Sequence, residues 1–270
     1  MRLIVYNHFY KHGFDYIRNG CGRTMGSKKR LKDLAASFLF TQRCRFCGRV
    51  IDIRLDCCAE CESGKCEITG KICSGCGCRA DECSCSGQIH FYRSVAAPYY
   101  YDGAAGKAVR SLKFNHDLFA GKRLADDMAR CFFERFGEYS FDAVTFVPGT
   151  KNEFKKKRFN QAQFLAEKVS EHIHIECAPL LEKQFDTKPQ HTLRDNERSG
   201  NLLGVFAVAD RAPEIENARI LLIDDVKTTG ATLDECAKTL LVGGAAEVFC
   251  LTAAVARKKQ GEKEDKDEVF

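Results

Sequence analysis

Nine consecutive residues, Asp224-Asp225-Val226-Lys227-Thr228-Thr229-Gly230-Ala231-Thr232, gather two carboxylates, an ammonium group, three hydroxyls and one glycine. Paired carboxylates suit the hydroxyls of a ribose, directly or through Mg²⁺, which favours carboxylate and phosphate oxygens. A tight turn into a helix aims several backbone N–H groups at one point, and the helix N-terminus adds partial positive charge, so a phosphate fits there. Thr228, Thr229 and Thr232 add hydroxyl donors, and Gly230 lets the backbone come close or take a positive φ. The segment lacks the spacing of a Walker loop and the three glycines of a dinucleotide fingerprint. An ordinary strand-to-helix connection needs one capping residue. Two Asp and three Thr around a Gly exceed that need.

Cysteine spacing carries a second chemistry. Of 16 cysteines, eleven lie between Cys44 and Cys85. Cys44-x-x-Cys47 and Cys58-x-x-Cys61 present four thiolates at the spacing of two zinc knuckles. Cys73-x-x-Cys76 opens a second set. Cys83 and Cys85 are the best candidates to close it, with Cys78 in competition; Cys83-Ser84-Cys85 leaves one residue between the thiols where a ribbon has two. Cys57 and Cys66 are spare. The opening Met1–His8 turns polar too soon for a secretory leader, so the paired spacing reads as one or two Zn²⁺ sites rather than disulfides. The module is too rich in Gly, Ser and charge to build an apolar core, so the metal role is structural, standing in for that core. A catalytic zinc would want an open position or a histidine, and neither is evident. His90 and His116 stand alone and read as surface or core residues, and Cys131, Cys177, Cys236 and Cys250 sit in apolar patterns.

The elements that must position these groups read as α/β. Gly121–Phe136 repeats apolar residues at helical spacing, and Ala162, Leu165, Ala166, Val169 and Ile173 share one face of another helix. Phe141–Pro148 reads as a buried strand ended by proline. Ile220–Ile223 is an apolar run of the kind covered on both faces. The stripe Leu233, Cys236, Ala237, Leu240, Leu241 follows, Gly243-Gly244 stops that helix, and Val248–Val255 is the next strand. Strand, helix, strand makes a right-handed βαβ unit of a parallel sheet. Ligands of such sheets bind beyond the carboxyl ends of the strands, where Asp224 and Asp225 stand.

Pro148-Gly149-Thr150-Lys151 follows the earlier strand at the same edge. The basic run Lys155–Arg158 comes next and leaves two readings open, a solvated face or an attractor of pyrophosphate or nucleic acid. The formal net charge of +5 is mild and does not by itself argue for nucleic acid. No apolar run is long enough to cross a bilayer, so a cytoplasmic chain without membrane insertion is the default. Arg257–Phe270 is almost all charge and reads as a solvated tail.

Asp-Asp-Val-x-Thr-Thr-Gly-Ala-Thr after a hydrophobic strand resembles the 5-phosphoribosyl-1-pyrophosphate (PRPP) motif of type I phosphoribosyltransferases. Val147-Pro148, the basic loop, Phe159-Asn160-Gln161-Ala162 and its helix, in that order, are similar to the competence protein F (ComF) family. So are Lys188–Leu193 with Arg198, Asn201, Gly204 and Phe206, Tyr99–Gly103 through Leu112-Lys113-Phe114, and the cysteine ribbon ahead of them. The resemblance covers about 33–256. It implies a type I phosphoribosyltransferase-like parallel sheet flanked by helices over 91–257, behind a double zinc-ribbon module over 38–90, an N-terminal extension over 1–37 and a charged disordered tail over 258–270. Residues before Met25 have no counterpart, which makes Met25 an alternative start. The family usually has glycine where this chain has Arg158, which puts the loop shape there in question.

The implied activity is displacement of pyrophosphate from C1 of PRPP with Mg²⁺. Asp224, Asp225 and Arg198 would be catalytic. Lys227–Thr232 would bind PRPP, and pyrophosphate would leave into Pro148–Lys151. Gln190 and Arg198 would lie on a hood, although Arg198 reads equally as a surface ion pair. The other implied role is in competence machinery, handling single-stranded DNA with the zinc ribbon and Lys155–Arg158, the PRPP site being vestigial or regulatory.

Overall fold

A computed structural model describes residues 42–83, 85, 88–149, 159–184, 204–210 and 212–257. The expectations for 1–37, for Thr150, Lys151 and Lys155–Arg158, for Gln190, Arg198 and Asn201, and for the tail from residue 258 lie outside the described residues. Two units are distinguished. In the smaller, the Asp52 carboxylate takes the Arg54 guanidinium at 2.7 Å. The larger, built from Arg43–Arg49 and the described residues from Asp56 onward, contains the sheet and every described cysteine.

The sheet is wholly parallel. Ala143–Phe146 (β3) pairs with Arg219–Lys227 (β6), which pairs with Glu247–Val255 (β7). β7 is flanked on its other side by two short strands, Ser94–Ala96 (β1) and Tyr99–Tyr100 (β2). Leu181–Lys183 (β4) and Phe206–Val208 (β5) form a separate antiparallel ribbon. The apolar runs explain the central strands: Ile220–Ile223 and nearly all of β7 are buried, as expected of strands covered on both faces.

Helices cover the sheet. Gly103–Asn115 (α2) is capped by Asp102, Leu118–Phe136 (α3) by Asp117, and Gln161–Ile173 (α4) by Asn160. Ala231–Val242 (α5) links β6 to β7. A shorter helix, Ala59–Ser63 (α1), lies in the cysteine-rich region. The helical stripe read from Gly121 starts three residues earlier, because the Asp117 carboxylate accepts the N–H groups of Phe119 and Ala120. Phe136 and Phe141 pack on Phe249 of β7, and Phe132 packs on both of them, at ring separations of 5.3–6.4 Å, which fixes α3 against the sheet.

The cysteine-rich region shares the sheet's core. Ile68 of that region packs with Ala97, Tyr100 and Val255, with Cys66, Ile72 and Cys78 against them. Among the described residues, no helix is long and apolar enough to cross a membrane.

Candidate functional site

The acidic pair lies inside a strand rather than after it. β6 continues past Ile223 because Asp224 stays in register with Thr252, Val226 with Ala254 and Lys227 with Val255. Each carboxylate folds onto the next peptide: Asp224 Oδ1 accepts the Asp225 N–H at 2.8 Å, and Asp225 Oδ1 accepts the Val226 N–H at 2.7 Å. Burial, and then the charge of Asp225, push the Asp224 pKa well above the usual carboxylate range. A basic group answers this pair. Lys113, at the end of α2, places Nζ 3.5 Å from Asp225 Oδ2. The two carboxylates, Asp225 foremost, hold the Lys113 pKa above its ordinary value against the cost of burial.

Thr228, Thr229 and Gly230 form the turn after Lys227. Thr228 and Thr229 are exposed, and Thr229 Oγ1 accepts the Ala231 N–H at 3.3 Å. Gly230 has φ +89° and offers no capping side chain of its own, so beyond the Thr229 hydroxyl a ligand can meet the start of α5. Lys227 is almost fully buried. A Cβ on Gly230 would stand 2.9 Å from Lys227 Cε, 3.2 Å from its Nζ and 3.3 Å from the Tyr92 hydroxyl. The turn is therefore a close-walled cradle with a cation in one wall. Ala231 and Thr232 open α5.

The second loop reaches the same sheet edge. Pro148 and Gly149 follow β3, whose pairing is prolonged by a Val147 N–H bond to the Ile223 carbonyl at 3.0 Å. Asn160 joins the end of β3 to the start of α4. Its Oδ1 accepts the Ala162 and Gln163 N–H groups, and its Nδ2 donates to the Val147 carbonyl at 3.1 Å. Gln161 Nε2 donates to the Lys113 carbonyl at 3.1 Å. Asn160-Gln161 thus tie the Pro148 loop, α4 and the lysine facing Asp225 into one frame. Lys113 and Tyr92 have no signature of their own, and only the position of Lys113 within Leu112-Lys113-Phe114 hinted at it.

Two groups of four thiols form, Cys44, Cys47, Cys58, Cys61 and Cys73, Cys76, Cys83, Cys85, the sulfurs of each lying within 4.8 Å of one another. Four sulfurs at a Zn–S bond of about 2.3 Å would sit about 3.8 Å apart on a tetrahedron's edges. The Cys47–Cys58 separation is 3.8 Å, Cys76–Cys83 3.7 Å and Cys73–Cys85 3.5 Å, with Cys83–Cys85 closer at 3.1 Å. Both donor sets therefore suit Zn²⁺. Cys83 and Cys85 join the second group, and Cys78 lies outside it, against the Tyr100 cluster. Burial raises the first thiol of each group, but hydrogen bonds, backbone N–H donors foremost, outweigh it and hold Cys44 down to about 6 and Cys73 to about 7, whereas Cys47, Cys61, Cys76 and Cys85 are pushed up. Cys57 stays outside both groups, and burial pushes its thiol up to about 12.

The first group docks through Arg45, which sits between its ligands. Arg45 Nη2 meets Asp127 Oδ1 at 2.6 Å, and the Tyr99 hydroxyl donates to Asp127 Oδ2 at 2.9 Å. Asp127 is 2% exposed.

The family model for the phosphoribosyl transferase domain matches residues 160–270. Competence protein ComFC of Bacillus subtilis is 29% identical over 199 residues, 70% of this chain and 79% of that protein. The DNA utilization protein YhgH of Escherichia coli is 31% identical over 113 residues, so that this chain spans only 48% of its length. Among solved structures, glutamine PRPP amidotransferase from B. subtilis, complexed with ADP and GMP, matches 49% of this chain and 26% of its own at 19% identity and a TM-score of 0.33.

Proposed function

We propose that this chain, which is similar to competence protein ComFC and matches the phosphoribosyl transferase domain model over residues 160–270, binds PRPP and transfers its phosphoribosyl group to an acceptor. The observation that carries this reading is the adjacency, along one strand and its turn, of a carboxylate pair and a glycine cradle. In this reading the 5-phosphate occupies the Thr228–Thr232 turn, where helix N–H groups and hydroxyls receive it. Asp224 and Asp225 accept the ribose hydroxyls. Pro148, Gly149 and the following Thr150 and Lys151 receive pyrophosphate.

In the transfer, the acceptor's lone pair forms a bond to C1, the C1–O bond breaks, and pyrophosphate leaves with that electron pair. The acceptor's proton passes to solvent or to the leaving group. Positive charge that builds on the ribose ring is stabilised by the two carboxylates beside it. Asp225 already faces a cation in Lys113 Nζ, so the oxygen donors fit a hard divalent ion, and Mg²⁺ when bound would neutralise the pyrophosphate. Lys113, whose Nζ stands beside Asp225, would contact a phosphate oxygen of the same ligand.

Calorimetry with PRPP and Mg²⁺ tests this, on wild type and on the Asp224→Asn, Asp225→Asn double variant. The reading expects saturable binding by wild type and none by the variant. No binding by wild type removes it.

A second reading, contact with single-stranded DNA, draws on an exposed aromatic surface beside the site. Phe114 and Phe119 are 64% and 41% exposed, and the Arg123 guanidinium lies 5.1 Å from the Phe119 ring centre. Bases stack on such rings next to basic groups. It expects salt-sensitive binding of an oligonucleotide that weakens in Phe114→Ala with Phe119→Ala.

A further inference from the structure

The two thiol groups contact different parts of the larger unit. The first meets α3 and Tyr99, through Arg45–Asp127 and an edge-on Phe46–Tyr99 ring pair at 5.5 Å. The second meets the phosphate loop. Gly75 lies in its Cys73–Cys76 turn, and the Gly75 carbonyl accepts the Tyr92 hydroxyl at 2.7 Å. Tyr92 is 3% exposed, and the same hydroxyl lies 3.3 Å from the Cβ position of Gly230. The neighbouring Ser74 carbonyl takes the Val95 N–H at 2.9 Å.

A second connection runs alongside. The His90 ring stacks on Tyr92 at 4.6 Å and 11°. A Cβ on Gly75 would lie 3.3 Å from that His90 ring and 3.7 Å from Cys85 Sγ. The next residue, Phe91, donates its N–H at 2.7 Å to Asp234 in the first turn of α5. The Cys73–Cys76 turn thus meets the wall of the cradle at Tyr92 and reaches the start of its helix by way of His90 and Phe91.

We propose that the Cys73, Cys76, Cys83, Cys85 group is a positioning element for the phosphate loop. Zn²⁺ there holds the Cys73–Cys76 turn, the turn holds Tyr92, and Tyr92 holds the Lys227–Gly230 cradle in its phosphate-accepting shape. The Cys44, Cys47, Cys58, Cys61 group serves stability alone. The claim about phosphate rests on the PRPP reading; the claim about loop shape does not.

The experiment uses the full chain as purified and compares wild type with Tyr92→Phe, Cys85→Ser and Cys58→Ser. Zinc per chain is measured by elemental mass spectrometry, and amide hydrogen exchange of residues 226–233 is followed without ligand. Tyr92→Phe is expected to keep the wild-type zinc content while loop exchange rises about three- to tenfold, the effect of losing one buried hydrogen bond. Cys85→Ser is expected to lose one zinc and show at least that rise. Cys58→Ser is expected to lose one zinc and melt at lower temperature with loop exchange unchanged.

Wild-type loop exchange in Tyr92→Phe overturns the proposal, even if Cys85→Ser fails to fold. Equal loop effects from both cysteine variants also overturn it. In parallel, PRPP with Mg²⁺ should bind Tyr92→Phe about three- to tenfold more weakly than wild type. A wild type that binds no PRPP defeats the PRPP reading and leaves the exchange data to decide the positioning claim.

Discussion

Replacing Gly230 with alanine separates backbone strain from contact in the cradle. Gly230 has φ +89°, a region that costs an L-residue about 1–2 kcal/mol. The new Cβ would stand 2.9 Å from Lys227 Cε and 3.3 Å from the Tyr92 hydroxyl. Lys227 is only 6% exposed, so its side chain has little room to withdraw. Gly70 supplies the control. Its φ is +76°, and nothing lies within 4 Å of its Cβ position. Gly70→Ala should therefore cost the strain alone, about 1–2 kcal/mol, and leave PRPP binding unchanged. Gly230→Ala should cost somewhat more, about 2–3 kcal/mol, or roughly 4–12 °C in melting temperature for a chain of this size, and abolish PRPP binding. Thermal melts and calorimetry on both variants decide it. A Gly230→Ala protein that melts with wild type, or binds PRPP as wild type does, refutes the cradle.

Three further outcomes are expected. Asp224→Asn removes an acid whose pKa is raised by burial and by Asp225. Stability linked to a raised acid pKa is present below the unfolded-chain value and is lost as pH climbs through the folded one. The variant should therefore gain on wild type in melting temperature as pH rises above the ordinary carboxylate range while losing PRPP; melting curves that stay parallel as pH rises would contradict this. Asp127→Ala leaves the mostly buried Arg45 without its partner and should cost about 3–5 kcal/mol in denaturant unfolding; a loss under about 1 kcal/mol would mean that the first thiol group is not docked there. Lys113→Met breaks a pair whose lysine is 46% exposed, so stability should fall by less than about 1 kcal/mol. PRPP should nonetheless bind about tenfold more weakly, and an unchanged Kd would show that Lys113 does not reach the ligand.

What was legible in the chain followed local rules. The apolar run at Ile220–Ile223, the stripe from Leu233 and the glycine stop are each set within a few residues, and each appears where its period places it. The strand end was not legible, because Asp224 and Asp225 look like loop residues until Thr252–Val255 pair with them across the sheet. The choice between Cys78 and Cys83 with Cys85 was open for a similar reason. The one-residue spacing gives no rule, and it is the packing of Cys78 against Ile68 and Tyr100 that draws it out of the group. Lys113 and Tyr92 lie more than a hundred residues before the loop they serve. No pattern in their own surroundings marks them, since their role comes from the fold bringing the end of α2 and the residues ahead of β1 to that loop.

The strand order has a consequence for how the chain is made. Within the sheet β1 and β2 pair with β7, and about 150 residues of chain separate them from it. At a synthesis rate of about 5–20 residues per second, they wait roughly 10–30 s on the ribosome for a partner. The thiol groups are complete at Cys85, before either strand has emerged. During that interval metal uptake can order the cysteine-rich segment while Val95, Tyr99 and Tyr100, fully buried in the finished fold, still lack their neighbours in β7. The newborn chain would thus be a natural client for holding chaperones, and a translation pause ahead of residue 247 would lengthen the period of risk.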